Sequence, residues 1–182
     1  MATSSDKMEQ VILFFLERIN NVHLGRTKLM KLLYYVDFDH FEKHGRSVTG
    51  AAYRKLPHGP VPDKAQKVIE EMARKGAVKE VRIKRADYAQ HRLITQARFE
   101  ASRFTGDELQ TLEKVAQKWE DATAKQIEAA SHAEAPWLAT RDGARIDYEL
   151  AHFRRPIGEE PLDAALAKSP KFSKYVASLR NA

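Results

Sequence analysis

Cysteine is absent from the 182 residues of this chain. Its absence excludes disulfide bridges, thiolate zinc sites and a cysteine nucleophile. The rest of the composition, 43% hydrophobic and 31% charged, is that of a folded globular protein rather than a disordered one. The length is sufficient for one domain with a modest extension.

Long apolar runs are also lacking at the start of the chain. The run Val11–Leu16 is too short to cross a bilayer. Asp6 and Glu9 precede it, where a secretory signal would carry positive charge. We therefore expect a cytoplasmic protein that makes no membrane contact.

Signatures of common catalytic centres are missing too. Neither G-x-x-x-x-G-K-[ST] nor G-x-G-x-x-G occurs among the eight glycines, and H-E-x-x-H and G-x-S-x-G are absent. Ser131, His132 and Glu134 offer a hydroxyl, an imidazole and a carboxylate, but triad members are rarely neighbours in sequence. We expect these residues to close a helix, and we expect neither enzyme activity nor a cofactor.

One group of side chains has the spacing of metal ligands. His40 and His44 lie four residues apart on a predicted helix, and Asp37 lies one turn before His40. The alternative is a polar face near the end of a buried helix, where histidines complement the helix dipole. We favour the alternative because no second ligand motif accompanies the pair, and we predict no metal site.

The spacing of apolar residues predicts a mostly α-helical protein with a small β element, an α+β fold. Gly45 and Gly76 mark predicted helix ends. The aromatic residues of the second helix, Tyr34, Tyr35, Phe38 and Phe41, alternate with leucines and are expected in the core. Helices are predicted over residues 6–20, 27–43, 63–75, 105–119, 123–132 and from 169 onward, with a further candidate over 146–153.

Two stretches depart from helical spacing. Residues 47–62 contain three prolines and predict an extended segment ending in a rigid turn, with Pro62 as the first residue of the next helix. Residues 78–84 alternate apolar and charged side chains, which predicts a half-buried strand with Val81 and Ile83 inward. A turn at 85–87 and a partner strand over 88–97 complete a hairpin. We expect a compact helical domain over 1–140 and a C-terminal helical extension over 141–182.

Positive charge is concentrated in one part of the chain. The net charge is +6, and residues 74–92 contain seven basic and two acidic residues, so this window carries five of the six charges. A helix followed by a basic hairpin resembles the recognition helix and wing of a winged-helix DNA-binding domain. Exposed cations there would contact phosphates. The candidate contacts are Lys79, Arg82, Lys84 and Arg85.

The alternative for this hairpin is a solvated edge strand whose lysines discourage pairing with other sheets. We favour this alternative because Asp63, Glu70 and Glu71 lie on the preceding helix. Carboxylates there make a poor surface to insert between phosphates.

Three stretches together resemble the Panacea domain of SocA-like antitoxins. The first motif is Thr27–Tyr35 (TKLMKLLYY), the second is Leu56–Pro62 (LPHGPVP) and the third is Ser131–Trp137 (SHAEAPW). Their order and spacing match the family pattern over about residues 8–140. The chain departs from the pattern at His58, where the family often has an aromatic residue, and the tail beyond Trp137 falls outside it.

The resemblance implies a small, mostly helical bacterial or phage protein that neutralises a toxin encoded beside it. Such domains are paired with many unrelated toxins, which implies one scaffold with a variable contact surface. The partner is then a toxin protein, with nucleic acid as the second choice. The resemblance makes the following positions structural or partner-binding rather than catalytic: Lys28, Lys31, Tyr34, Tyr35, His58, Gly59, Pro60, Pro62, His132, Pro136 and Trp137.

Overall fold

A computed structural model describes residues 4–84 and 89–154. These residues form a mostly α-helical α+β domain, as predicted, and none of their helices is long and apolar enough to cross a membrane. Two 3₁₀ helices, Ala101–Arg103 and Tyr148–Phe153, accompany the main elements. The helices are α1 (Ser4–Arg18), α2 (Arg26–His44), α3 (Ala65–Arg74), α4 (Gly106–Trp119), α5 (Ala124–His132) and α6 (Ala135–Leu138), and the strands are β1 (Tyr53–Leu56), β2 (Gly59–Pro62), β3 (Val78–Lys84), β4 (Ala89–Thr95) and β5 (Arg145–Ile146).

The helix α2 lies at the centre of the core. It contacts α1, α4, α5, β2 and the second 3₁₀ helix, and nearly every residue from 28 to 38 is buried. A helix that is apolar on more than one face is typical of this position. Gly45 ends α2 in the left-handed conformation, with φ of 67°, and its N–H donates to the Phe41 carbonyl. The prediction of a central second helix ending at Gly45 is confirmed.

The surrounding helices bury one face each. In α3, which lies within the predicted helix 63–75, the inward residues are Ala65, Val68, Ile69 and Met72. Thr105 and Thr123 cap α4 and α5, and each forms a reciprocal pair of hydrogen bonds with the residue three positions on. The helix α1 begins at Ser4, two residues before the predicted start at residue 6, so Asp6 lies inside its first turn.

The second motif forms a β-hairpin that the sequence did not predict. Strands β1 and β2 pair antiparallel with Tyr53 opposite Pro62, and β5 adds a third strand beside β1. Pro62 therefore ends β2, and the prediction that it begins a helix was wrong, since α3 starts at Ala65.

The register explains why prolines are tolerated in β2. The N–H of Lys55 donates to Ala144 on the β5 side, so the residues opposite Tyr53 and Lys55 point their nitrogens to the outer edge of the sheet. Pro60 and Pro62 occupy those positions. A proline on an edge strand leaves no ladder hydrogen bond unmade.

The predicted basic hairpin is present. Strands β3 and β4 pair antiparallel from Val78 opposite Thr95 to Lys84 opposite Ala89. Val78 is buried, whereas Val81 and Ile83 are half-buried beneath a two-stranded sheet. The predicted turn 85–87 lies outside the described residues.

The segment after α5 differs from the sequence prediction. The candidate helix over 146–153 is instead the short strand β5 followed by a 3₁₀ helix, which Asp147 caps by accepting the N–H of Glu149. The short helix α6 was not predicted, and it begins with Ala135 and Pro136. The predicted terminal helix from Ser169 lies outside the described residues.

Candidate functional site

The three motifs meet around α2. The Lys31 ammonium of the first motif donates to the Pro60 carbonyl of the second at 3.2 Å. The Tyr34 hydroxyl of the first motif donates to the Glu134 carboxylate of the third at 2.8 Å. Stretches separated by up to 100 positions are thus joined to one helix by a buried and a partly buried hydrogen bond.

The closest approach in this junction is between Gly59 and Lys31. Gly59 has φ of +103°, and a Cβ placed on it would lie 2.5 Å from Lys31 Cε and 3.1 Å from Ser131 Oγ. No side chain fits at that separation. The glycine of the second motif is therefore required both by its backbone conformation and by the lysine packed against it.

Two lysines of the first motif are buried. Lys28 is 0% exposed and donates to the Glu120 carbonyl at 2.8 Å, while Lys31 is 1% exposed. Burial lowers the pKa of each lysine to about 8, although the carboxylates of Asp121 and Glu120 for Lys28, and of Glu128 for Lys31, oppose the shift. Both ammonium groups remain mainly charged at neutral pH, so two cations lie inside the domain.

A largely buried ionic cluster lies further along α2, around Asp39. The Arg154 guanidinium pairs with Asp39 and with Glu134 at 3.2 Å, and it lies 5.4 Å from the Tyr35 ring centroid. Burial raises the pKa of Glu134, and the Arg154 charge opposes this. Burial also raises the pKa of Tyr34 well above its ordinary value, and Glu134 adds to the increase.

Sequence reasoning missed this ionic cluster. Asp39 and Arg154 belong to none of the three motifs, and the sequence suggests for Glu134 only a place in the third motif and a role as a triad carboxylate. The one available signal is the pair Arg154–Arg155 after the apolar residues of 146–153, which does not indicate a partner.

The remaining residues of the third motif form a partly exposed face. The His132 and Trp137 rings stack with centroids 4.0 Å apart, and the Lys55 ammonium lies 4.7 Å from the Trp137 ring centroid. Pro136 is buried at the start of α6. His58, by contrast, projects from the β1–β2 turn with 82% of its side chain exposed.

The candidate metal ligands are directed to different partners. The buried Asp37 carboxylate accepts hydrogen bonds from the Thr49 backbone and hydroxyl and from the Tyr53 hydroxyl. His40 pairs with Thr111 at 3.0 Å and stacks on His44. In residues 4–84 and 89–154, no three His, Cys, Asp or Glu side chains are grouped as a metal site requires.

The three residues considered for a catalytic triad, Ser131, His132 and Glu134, also contact different partners. Ser131 donates to the Glu128 carbonyl, which holds its hydroxyl within its own helix. His132 stacks on Trp137, and Glu134 accepts from Tyr34. No hydrogen bond between these three side chains occurs in the described structure.

The basic hairpin presents three of its four predicted contacts to solvent. Lys79, Arg82 and Lys84 are exposed along β3, and Arg85 lies outside the described residues. Arg92 instead donates to the Asn21 carbonyl at 2.9 Å. The charge of the window 74–92 is therefore only partly available to a ligand.

These features define a small α+β domain in which short motifs from three parts of the chain converge on one buried, lysine-bearing helix. The chain belongs to the family described as Antitoxin SocA-like, Panacea domain, whose model matches residues 29–138, more than half of the sequence. The resemblance predicted from the three motifs is confirmed. No curated protein and no solved structure matches the chain.

Proposed function

We propose that this protein is a cytoplasmic antitoxin that neutralises the toxin encoded by an adjacent gene through direct binding, without catalysis. The observation that supports this proposal most is that residues of the family motifs contact one another inside the domain. Lys31, Tyr34, Gly59 and Glu134 bond or pack against one another inside the domain. Such residues build a scaffold, and the contact surface is left to more exposed positions.

The β1–β2 turn illustrates how the scaffold could present a contact surface. Leu56 and His58 are exposed, while Pro57 and Pro60 restrict the backbone on either side. A restricted loop loses little conformational entropy when a partner immobilises it. The shared motifs would therefore stiffen a surface whose exposed residues select the toxin.

The experiment is coexpression with the product of the adjacent gene, scored by growth rescue and by copurification. We expect rescue together with a stable complex of the two proteins. The toxin concentration should be measured in the same cells, since a constant level indicates blocking and a falling level indicates directed degradation. Absence of both rescue and complex would contradict the proposal.

A second candidate is DNA binding through the hairpin β3–β4, favoured by the exposed Lys79, Arg82 and Lys84 that follow α3. Specific duplex binding should weaken steeply with salt and be lost in the variant Arg82→Glu/Lys84→Glu. The matched control is Lys114→Glu/Lys118→Glu on α4. If duplex DNA is not retained even at low salt, this candidate is eliminated.

A further inference from the structure

A pocket opens where the start of α2 meets β2, β4 and the start of α5. Its volume is about 440 Å³, which lies within the range of sites that take small ligands or single side chains. Val22, Met30, Val61 and Ala124 contribute apolar walls. None of the contacts described for the three motifs fills this space.

The pocket is lined by basic side chains without a lining carboxylate. Fourteen residues line it, five of them are basic or histidine, and none is Asp or Glu. The five are Arg26, Lys31, His23, His58 and His91. We name this site the cationic pocket.

Acidic residues do lie behind the cationic pocket. Glu80 is 3.1 Å from Arg26 and 3.3 Å from His91, and Glu128 is 3.6 Å from His58. Lys31 differs, because within the described residues its ammonium has one hydrogen-bond acceptor, the Pro60 carbonyl, and no ion pair. An ammonium has three donors, so this buried cation retains capacity for an anion.

The start of α2 adds positive potential to the same space. Gly25 is the N-cap residue and supplies no side-chain acceptor, and the first turn contains no acidic residue. The amides of that turn and the positive end of the helix dipole are therefore not compensated by the helix itself. Gly25, Arg26 and Thr27 all line the cationic pocket.

We propose that the cationic pocket receives a carboxylate side chain of the partner protein, with glutamate as the best fit. The apolar walls suit the methylene stem of glutamate, and Lys31, Arg26 and the α2 amides suit its carboxylate. Lys31 is too deeply buried to meet the backbone phosphates of a duplex, which favours a protein ligand over nucleic acid. The proposal rests on the proposed antitoxin function and names the feature of the toxin that is recognised.

The first test uses the protein alone. The probes are N-acetylglutamate amide and its neutral match N-acetylglutamine amide, and the readout is the NMR shifts of the His23, His58 and His91 rings. We expect saturable shifts at millimolar concentration with the glutamate probe only. Equal shifts from both probes, no shifts, or displacement of the probe by duplex DNA would overturn the proposal.

The second test uses the complex with the adjacent gene product. Arg26→Gln should weaken the complex about tenfold, whereas Arg18→Gln should leave it unchanged. Arg18 is the matched control because it also pairs with a glutamate, at 2.9 Å from Glu113, but lies outside the pocket. Lys31→Met is a second variant, to be used after circular dichroism shows that it folds.

The two tests separate failure of the inference from failure of the proposed function. If the wild-type protein does not bind the neighbouring gene product, the proposed function fails whatever the glutamate probe does. If the complex forms but Arg26→Gln and Lys31→Met bind as tightly as Arg18→Gln, the antitoxin function stands and the inference about the cationic pocket is overturned.

Discussion

The Lys31 side chain packs so closely against Gly59 that a Cβ at position 59 would force it to move. Replacing Gly59 with alanine places a methyl group against the Lys31 side chain and puts a Cβ on a backbone with φ of +103°. We expect Gly59→Ala to lower the free energy of unfolding by about 2 to 4 kcal/mol, from backbone strain and overpacking together.

The control for Gly59→Ala is Gly45→Ala. Gly45 also has a positive φ, of 67°, but a Cβ there would meet nothing within 4 Å. The Gly45→Ala variant should lose only the cost of placing a Cβ on a left-handed backbone, about 1 kcal/mol of the free energy of unfolding. Urea titration measures this loss in both variants. Equal losses for the two variants would contradict the close packing of Gly59 on Lys31.

The carboxylate oxygens of Asp37 accept hydrogen bonds that hold the turn after α2 in place. Asn is a poor replacement, because with its oxygen kept toward the Thr49 N–H its NH₂ group faces the Thr49 and Tyr53 hydroxyls, which must then accept instead of donate. We expect Asp37→Asn to cost about 2 kcal/mol of stability, measured by urea unfolding. The control Asp142→Asn, whose side chain is 94% exposed, should cost almost nothing. A loss in the control as large as in Asp37→Asn would argue against this role.

At the residue scale, the sequence predicted which side chains are buried better than it predicted their hydrogen-bond partners. Periodicity placed Tyr34, Tyr35 and Phe38 in the core, and all three are fully buried. It did not predict that Tyr34 donates to Glu134, one hundred positions away, or that Lys28 and Lys31 are buried with them. Long-range hydrogen bonds leave no periodic trace in a sequence, because their partners belong to different elements.

At the scale of elements, the second 3₁₀ helix is held to α2 by the stacking of Tyr148 on Phe38 and by a buried arginine at its end. Arg154 has 8% of its side chain exposed and serves Asp39, Glu134 and, at 3.9 Å, Glu42. Its replacement by methionine would leave buried carboxylate charge uncompensated. We expect Arg154→Met to lower the free energy of unfolding by about 3 kcal/mol.

Two further variants test the origin of this loss. Arg154→Lys should retain part of the stability, since a single ammonium cannot reach all three carboxylates. Arg103→Met removes an exposed pair with Glu100 and should cost less than about 1 kcal/mol. If Arg154→Met is no worse than Arg103→Met, the cluster does not stabilise the fold.

The elements themselves were predicted unevenly, and the physical reasons differ. Long amphipathic helices such as α3 and α4 were found because their apolar stripes face one core. The strands β1 and β2 were missed because prolines normally argue against strands, and only the edge position of β2 makes them acceptable. The strand β5 is two residues long, too short for any alternation to be seen.

At the scale of the whole molecule, buried lysines and tyrosines give the stability an unusual dependence on pH. Lys28 and Lys31 have a pKa of about 8 in the fold and about 10.5 when unfolded. Between these values the unfolded chain binds more protons, so stability should rise with pH, by roughly 3 kcal/mol for each lysine. Above about pH 10 the unfolded tyrosines ionise while burial raises the pKa of Tyr34 and Tyr53 in the fold, so stability should fall.

This prediction is checked by urea unfolding at a series of pH values between about 7 and 11. In the double variant Lys28→Met/Lys31→Met, the free energy of unfolding should no longer rise above about pH 8, but it should still fall above about pH 10. A wild-type protein whose stability declines steadily from neutral pH would contradict the burial of two charged lysines.

The pairing of β1 with β5 has a consequence for how the chain is made. Tyr53 pairs with Ile146, and Asp39 forms an ion pair with Arg154. Residues in the first third of the chain therefore gain these partners only after the ribosome has synthesised about 100 further residues. Until then the nascent chain carries an Asp39 carboxylate without its arginine and a sheet with an open edge. A chain truncated at residue 138, where the family match ends, would lack both β5 and Arg154. Residues beyond the region shared with the family are therefore needed to complete the sheet and the ionic cluster.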